Sequence, residues 1–274
     1  MEGHGAPGRT GEAMAQDQMI GAKATKQRPR ARLPETPRYR ARFAEGPADF
    51  ARAETLRALA FRGDSRAADA DAFDPLCRHL LIETRDTGAL VGTCRLLYFA
   101  DGRRIGASYS AQFYDLAPLA GYPAPMLELG RFCIAPGAQD ADVLRLAWAA
   151  LARIVTAERV GMLFGCSSFP GTDETAFRDA FALLGARHLA PCEWRPRAKA
   201  PDVVRLAASS ARPDLTRALK AMPPLLRSYL AMGGWVSDHA VRDRDLGTLH
   251  VFTGLEVGRV PAGRARALRA LAGA

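Results

Sequence analysis

Charged residues within apolar segments near the middle of this chain constrain its fold more than any other feature. Arg95 lies in the segment VGTCRL, and Glu128 and Arg131 lie in the segment LELGRF. A charge inside a buried strand costs free energy unless it is paired or serves a function. The two segments therefore predict either an interior ion pair that orients a sheet or a functional site.

The spacing within LELGRF leaves the position of Arg131 open. Side chains alternate between the two faces of an extended strand, so Glu128 and Gly130 share one face. Arg131 then lies on the opposite face with Leu127 and Leu129, unless a β-bulge intervenes. A glycine beside the charged residues is a common place for such a bulge.

The remaining chain predicts helices and strands arranged around one sheet. Strand patterns cover 39–43, 77–84, 90–99, 126–134, 161–168, 235–240 and 248–257, with another extended segment over 106–113. Helical patterns cover 47–61, 172–184, 223–232 and a long apolar segment that begins at a cap, Asp140 or Asp142, and ends near 159. Because no G-x-G-x-x-G follows the first strand, a Rossmann fold is not expected. The predicted fold is an α/β sandwich with a central mixed sheet.

Residues 1–37 differ in composition from the rest of the chain. They combine low hydrophobicity with several Lys and Arg residues ahead of Pro34 and Pro37, which predicts a disordered basic tail. A basic arm that touches a membrane is one interpretation. A poorly ordered leader, with a later start at Met14 or Met19, is the other. Residues 38–274 are predicted to form a single domain.

The formal charge of +9 predicts an anionic partner, either nucleic acid, anionic lipid or an acidic protein. Nucleic acid is the weakest of these options, because basic and aromatic residues are not interleaved and no RNA- or DNA-binding motif is present. Two basic runs could contact an acidic protein or lipid, and the second could form a basic amphipathic helix. They comprise Arg187, Arg195, Arg197 and Lys199, and then Arg259, Arg264, Arg266 and Arg269.

Several classes of site and location are not supported by the sequence. The five cysteines contain no CxxC pair and the histidines lack ligand spacing, so no metal site is expected. The apolar runs are shorter than the roughly 20 residues that span a bilayer. We therefore expect a cytoplasmic protein, on or off the inner membrane surface.

Four motifs, in order along the chain, resemble the GNAT-like acyltransferases of the autoinducer-synthase branch. They are Arg57 with Phe61 in the first helix, Asp71 with Asp74 in DAFD, VGTCRL around Arg95, and ELGRF from Glu128 to Phe132. This resemblance implies a GNAT-like (acyl-CoA N-acyltransferase or autoinducer-synthase-like) αβα sandwich. It also implies a phosphopantetheine arm between the strands at 126–134 and 161–168.

The sequence is more similar still to the ornithine N-acyltransferases that make lyso-ornithine lipid. That similarity covers roughly 38–258 and includes ELGRFCI, FGCSSFPGT and PPLLRSYLAMGG. It implies transfer of a 3-hydroxy fatty acyl group from acyl carrier protein to the α-amine of L-ornithine, with no permanently bound cofactor. The Trp that usually follows the first-helix motif of autoinducer synthases is absent.

The resemblance also implies roles for individual residues. The α-ammonium of the acceptor must lose a proton before it attacks, and Glu128 is the predicted general base, with Arg131 beside it. Asp71 and Asp74 are predicted to hold the cationic amino acid. Arg95 or Arg131 would engage its carboxylate or lock the acidic residues in place. The remaining predicted substrate-binding residues are Arg57, Phe61, Ser167 and Ser168, with the two serines lining the acyl pocket.

Three alternatives stay open at this stage. Glutamine could replace ornithine as the acceptor, in which case the side-chain pocket needs neutral partners rather than an extra carboxylate. The same fold could make acyl-homoserine lactones. A protein of another class would be a non-catalytic module that binds acyl carrier protein or lipid.

Overall fold

The computed structural model describes residues 32–138, 140–206 and 213–272. Most of the predicted basic tail, residues 1–31, therefore lies outside the described residues. In the part that is described, Leu33 packs against the core, and the backbone of Glu35 forms an antiparallel β-bridge with that of Arg40. The predicted boundaries at 1–37 and 38–274 stay a prediction.

Strands and helices are interspersed along the chain, and β2–β3 and β9–β10 follow each other directly. The strands are β1 Tyr39–Phe43, β2 Arg78–Thr84, β3 Leu90–Phe99, β4 Tyr114–Asp115, β5 Met126–Ile134, β6 Met162–Pro170, β7 Arg197–Ala198, β8 Val203–Arg205, β9 Trp235–Asp243 and β10 Thr248–Glu256. The helices are α1 Pro47–Arg62, α2 Ala141–Ala157, α3 Arg178–Arg187, α4 Leu215–Ala221, α5 Pro224–Ala231 and α6 Ala262–Ala272. Of the two predicted caps of α2, Asp140 is the one observed, and its side chain accepts a hydrogen bond from the N–H of Asp142.

An eight-stranded sheet in the order β1-β2-β3-β5-β6-β10-β9-β8 forms the centre of the molecule. Among the described strands, β5 and β6 pair in parallel, and the other neighbours in this sheet pair antiparallel. The parallel register joins Met126 to Met162 and ends at the pair Leu129 and Gly165. The predicted α/β fold with a central mixed sheet is confirmed.

Helices and loops cover both faces of this sheet. On one face, which we call the α2 face, Leu96, Leu127 and Leu129 pack with Leu146 and Leu151 of α2. On the other face, which carries α1 and which we call the α1 face, the apolar side chains pack with the loop between β3 and β5; they include Leu97, Phe99, Tyr114, Phe164 and Phe252. Polar residues on the α1 face therefore stand out from an otherwise apolar layer.

The segment at 106–113 was predicted to be extended, and this prediction is wrong. Short 3-10 helices form there instead, at Gly102–Ala107 and Ser110–Gln112. Asp101 caps the first of them by accepting the N–H of Arg103, which favours a turn over a strand. None of the helices in the described part of the chain is long and apolar enough to cross a membrane.

Candidate active site

A β-bulge in β5 brings the charged residues of LELGRF to one face. The register between β3 and β5 shifts between Thr93 and Arg95, and Arg131 has a positive φ of 50°. The guanidinium of Arg131 consequently lies 3.3 Å from Asp69 and donates to the hydroxyl of Tyr109 at 3.2 Å. The bulge that the sequence left open is thus present, and Glu128 and Arg131 both lie on the α1 face.

Arg57 of α1 is the central cation of a buried ion-pair network. Only 1% of its surface is exposed. It donates to both carboxylate oxygens of Asp74, at 2.5 and 2.9 Å, and to Asp69 at 2.8 Å. Burial raises the pKa of Asp74, but the hydrogen bonds from Arg57 outweigh it and hold the pKa well below its usual range. Asp74 is therefore ionised and paired.

Arg95 joins this network from β3. Its Nη1 donates to Asp71 at 2.5 Å and to Asp74 at 3.2 Å, and Arg131 lies 3.6 Å from the other oxygen of Asp71. The structure thus brings together the predicted residues Arg57, Asp71, Asp74, Arg95 and Arg131. In this arrangement the arginines lock the acidic residues in place, whereas a direct contact of any of them with substrate stays a prediction.

Glu128 is held by the loop that precedes β5 in the chain. Its carboxylate accepts the N–H of Tyr109 at 2.9 Å, the N–H of Ser110 at 2.8 Å and the hydroxyl of Ser110 at 2.6 Å. Burial raises the pKa of Glu128, and these hydrogen bonds oppose the increase. Glu128 is buried and is not among the described residues that line the cavity between β5 and β6.

That cavity, of about 770 Å³, opens where β5 and β6 separate beyond Leu129 and Gly165. Its volume falls within the roughly 300–1,000 Å³ of small-molecule sites. The apolar end on the α2 face is lined by Leu144 of α2 and by the α5 region, namely Pro223, Pro224, Leu225, Leu226 and Tyr229. On the α1 face, Phe61, Tyr109 and Arg131 form the wall, and the Arg131 guanidinium lies over the Phe61 ring at 5.9 Å.

Both predicted serines line this cavity. Ser167 is buried and accepts a hydrogen bond from the Thr253 hydroxyl at 2.9 Å. Ser168 is exposed and lies opposite His250 in the pairing of β6 with β10. Their position matches the predicted lining role, and their contact with an acyl group stays a prediction.

The far end of the cavity is polar and contains residues to which the sequence analysis gave no role. Asp243 is the last residue of β9, and Thr248 lies directly opposite it on β10. His250 follows two residues later on β10, and all three residues line the cavity. The signal that could have indicated them is the segment DRDLGT, which places an Asp and a Thr on either side of a tight turn. Strand alternation then puts His250 on the same face as Thr248.

The central sheet and the cavity at its separating strands define an acyltransferase of the GNAT class. A family model described as an acetyltransferase (GNAT) domain matches residues 55–149. An L-ornithine N(alpha)-acyltransferase of Rhodobacter capsulatus is 39% identical over 189 residues, which cover 67% of this chain and 73% of the relative. The corresponding protein of Agrobacterium fabrum is 34% identical over 211 residues, which cover 73% of this chain and 70% of the relative. This chain belongs to the L-ornithine N(alpha)-acyltransferase family and is an N-acyltransferase.

Among solved structures, an N-acyl amino acid synthase from uncultured soil microbes aligns with 87% of this chain and 98% of its own length. Its sequence identity is 13% and the TM-score is 0.42.

Proposed function

We propose that this enzyme transfers a 3-hydroxy fatty acyl group from acyl carrier protein to the α-amine of L-ornithine, which yields lyso-ornithine lipid. The observation that carries the proposal is the cavity between β5 and β6, because it joins an apolar end to a polar end with a carboxylate. The names of the relatives support ornithine as the acceptor.

The apolar end of the cavity suits a fatty acyl chain. Leu144, Leu225 and Leu226 lie between α2 and α5 on the α2 face, and burial of each chain methylene is worth about 0.8 kcal/mol. The phosphopantetheine arm would enter between the separating strands. Backbone N–H groups at that separation would stabilise the oxyanion that forms on the thioester carbonyl.

Glu128 is our proposed general base. Its raised pKa favours proton uptake, and its carboxylate contacts the Ser110 hydroxyl, which lies 3.5 Å from the Sγ of the cavity residue Cys166. A water between the α-ammonium and the Ser110 hydroxyl would pass the proton on to Glu128. The free amine attacks the carbonyl, the C–S bond breaks, and the carrier thiol leaves with a proton. Arg131 would act as a positioning residue by holding Tyr109.

The charge of the protein supports an acidic carrier protein as the donor and an anionic inner-membrane surface as a second partner. A formal charge of +9 accelerates encounter with either of them. The amphiphilic product would enter such a surface directly. We therefore place the enzyme in the cytoplasm, peripheral to the inner membrane.

Incubation with 3-hydroxyacyl carrier protein, with the matching acyl-CoA, and with a panel of amino acids tests donor and acceptor together. We expect mass analysis to find N-acylornithine from the carrier-bound donor. Glu128→Gln should lower kcat by about 100-fold or more, because an amide cannot accept the proton. The exposed Glu193→Gln variant should match the wild type. Acylation of glutamine alone, or of no amino acid, would contradict the proposal.

A further inference from the structure

Asp243 is a nearly buried carboxylate with one oxygen uncommitted. Its exposed fraction is 8%, and its Oδ1 accepts the N–H groups of Asp245 and Leu246 at 3.0 Å each. None of the described residues donates a hydrogen bond to its Oδ2 or lies within ion-pair distance of it, and Arg62 attracts it only from a longer distance. A carboxylate taken out of water in this way costs free energy unless a cation pairs with it. Since it lines the cavity, a bound cation can supply that pairing.

His250 contributes a second acceptor to the same end of the cavity. The Tyr114 hydroxyl donates to the His250 carbonyl at 2.8 Å and lies 3.1 Å from Nδ1. Because the hydroxyl proton is used, Nδ1 carries the ring proton and Nε2 presents a lone pair. Nε2 is buried and has no hydrogen-bond partner in the described structure. Burial lowers the pKa of His250 to about 4, so the ring is neutral at physiological pH.

Thr248 provides the third acceptor. Its Oγ1 is also buried and without a hydrogen-bond partner among the described residues. It lies directly opposite Asp243 in the β9–β10 pair, and side chains in such pairs have Cβ atoms about 4.5–5.5 Å apart. Three residues that line the cavity thus carry acceptors, and a primary ammonium offers three N–H donors.

We propose that Asp243, Thr248 and His250 bind the side-chain ammonium of a dibasic amino acid and thereby select the acceptor. This inference rests on the proposed function and deepens it. It assigns the acceptor's specificity to the β9–β10 hairpin rather than to the acidic loop at 69–74. In that loop the carboxylates of Asp71 and Asp74 are engaged by arginines.

The direction of the cavity supports the side-chain ammonium over the reacting α-amine. In the proposed function the reaction takes place where β5 and β6 separate, near Gly165, which lies opposite Thr253 of β10. His250 and Thr248 lie three and five residues from Thr253 along β10, so these acceptors lie toward the β9–β10 turn, away from the point where the strands separate. The other carboxylate in the described lining, Asp140, already accepts from Arg38 and Tyr39. Glutamine would leave the Asp243 carboxylate without a cation in direct contact.

Steady-state kinetics with ornithine and with norvaline, which lacks the δ-amine, test this subsite. In Asp243→Asn the Oδ1 acceptor of the turn is retained and the charge is lost. We expect kcat/KM for ornithine to fall at least about 30-fold, mainly through KM, because the buried charge partner is removed. For norvaline, kcat/KM should stay within about 3-fold of the wild type.

Two further variants keep the test decisive. Asp245→Asn changes an exposed carboxylate on the same turn and should leave both substrates unaffected. Thr248→Val removes one acceptor at constant size and should weaken ornithine use several-fold. An equal loss for ornithine and norvaline, or an unchanged KM for ornithine, would overturn the proposal.

Calorimetric titration of ornithine separates the two proposals. If the wild type binds ornithine and Asp243→Asn does not, the subsite stands even when no acyl product is found. If the wild type acylates ornithine and Asp243→Asn binds it equally well, only the subsite assignment fails.

Discussion

The carboxylate of Glu83, on β2, connects the edge strand β1 to helix α1 through hydrogen bonds with arginines of both elements. It accepts hydrogen bonds from Arg40 at 2.9 Å, from Arg42 at 2.7 and 2.9 Å, and from Arg52 at 2.8 Å. Burial raises the pKa of Glu83, but the bonds from these arginines outweigh it and lower the pKa to about 2. An unfolded-chain glutamate titrates near pH 4.3.

The depressed pKa of Glu83 predicts a specific pH dependence of stability. Its contribution is complete above about pH 4.3 and is lost as the pH falls toward about 2. Glu83→Gln should therefore lower the free energy of unfolding by about 3 kcal/mol at pH 7, and the difference from the wild type should vanish near pH 2. Urea unfolding at several pH values measures both. The exposed Glu193→Gln variant is the control, and a difference that stays constant down to pH 2 would refute the assignment.

For single residues, the sequence indicated which charged residues lie in strands but not which groups they contact. Arg95, Glu128 and Arg131 were identifiable because a charge within an apolar strand is conspicuous. Asp243 and His250 received no role, because DRDLGT indicates only a turn and their role depends on a cavity between strands that are distant in the chain. Likewise, Glu128 and Arg131 are only three residues apart, but the carboxylate accepts backbone N–H groups of Tyr109 and Ser110, whereas the guanidinium contacts Asp69 and the Tyr109 hydroxyl.

Among the elements, the last close pairing between β5 and β6 depends on Gly165. A Cβ atom at this position would overlap the carbonyl oxygen of Leu129 on the neighbouring strand. The two backbones can approach this closely only because residue 165 has no side chain. The last parallel pair before the cavity therefore requires glycine.

Gly165→Ala should accordingly impair both stability and catalysis. We expect the free energy of unfolding to fall by about 1–3 kcal/mol, because the strands must move apart to accept the methyl group. Acyl transfer should fall as well, since the same pair lines the cavity in which we propose that the reaction takes place. Gly121→Ala is a matched control, since a Cβ there meets no atom within 4 Å. Denaturant unfolding and steady-state kinetics measure the two effects, and similar values for the two variants would contradict this account.

The long strands were predictable from the sequence because each buries an apolar face. The predicted strand at 90–99 and the predicted strand at 126–134 coincide with β3 and β5. The short elements β7, β8 and α4 were not predicted. Two or three residues of strand carry too little periodicity, and β8 forms by pairing with β9, which is distant in the chain.

At the scale of the whole molecule, the positive charge is distributed unevenly among paired and unpaired arginines. In the connector between α3 and α4, Arg195 donates to the Ala190 carbonyl and Lys199 to the Ala111 carbonyl. On α6, by contrast, Arg264, Arg266 and Arg269 are exposed and form no ion pair with any described residue. Leu268 packs against the core, whereas Leu271 is exposed. Helix α6 is thus the better candidate for a surface that contacts anionic lipid.

Changing Arg264, Arg266 and Arg269 together to Gln should weaken binding to vesicles that contain anionic phospholipid. Each basic residue near such a surface is worth about 1 kcal/mol, so a loss of about 3 kcal/mol, or roughly 100-fold in affinity, is expected. A second triple variant, with Arg145, Arg205 and Arg217 changed to Gln, removes arginines that pair with aspartates. Both variants lower the formal charge from +9 to +6, so comparing them in a sedimentation assay separates the position of the charge from its amount. Equal losses would show that only the overall charge matters, and no loss in either would exclude α6 as the contact surface.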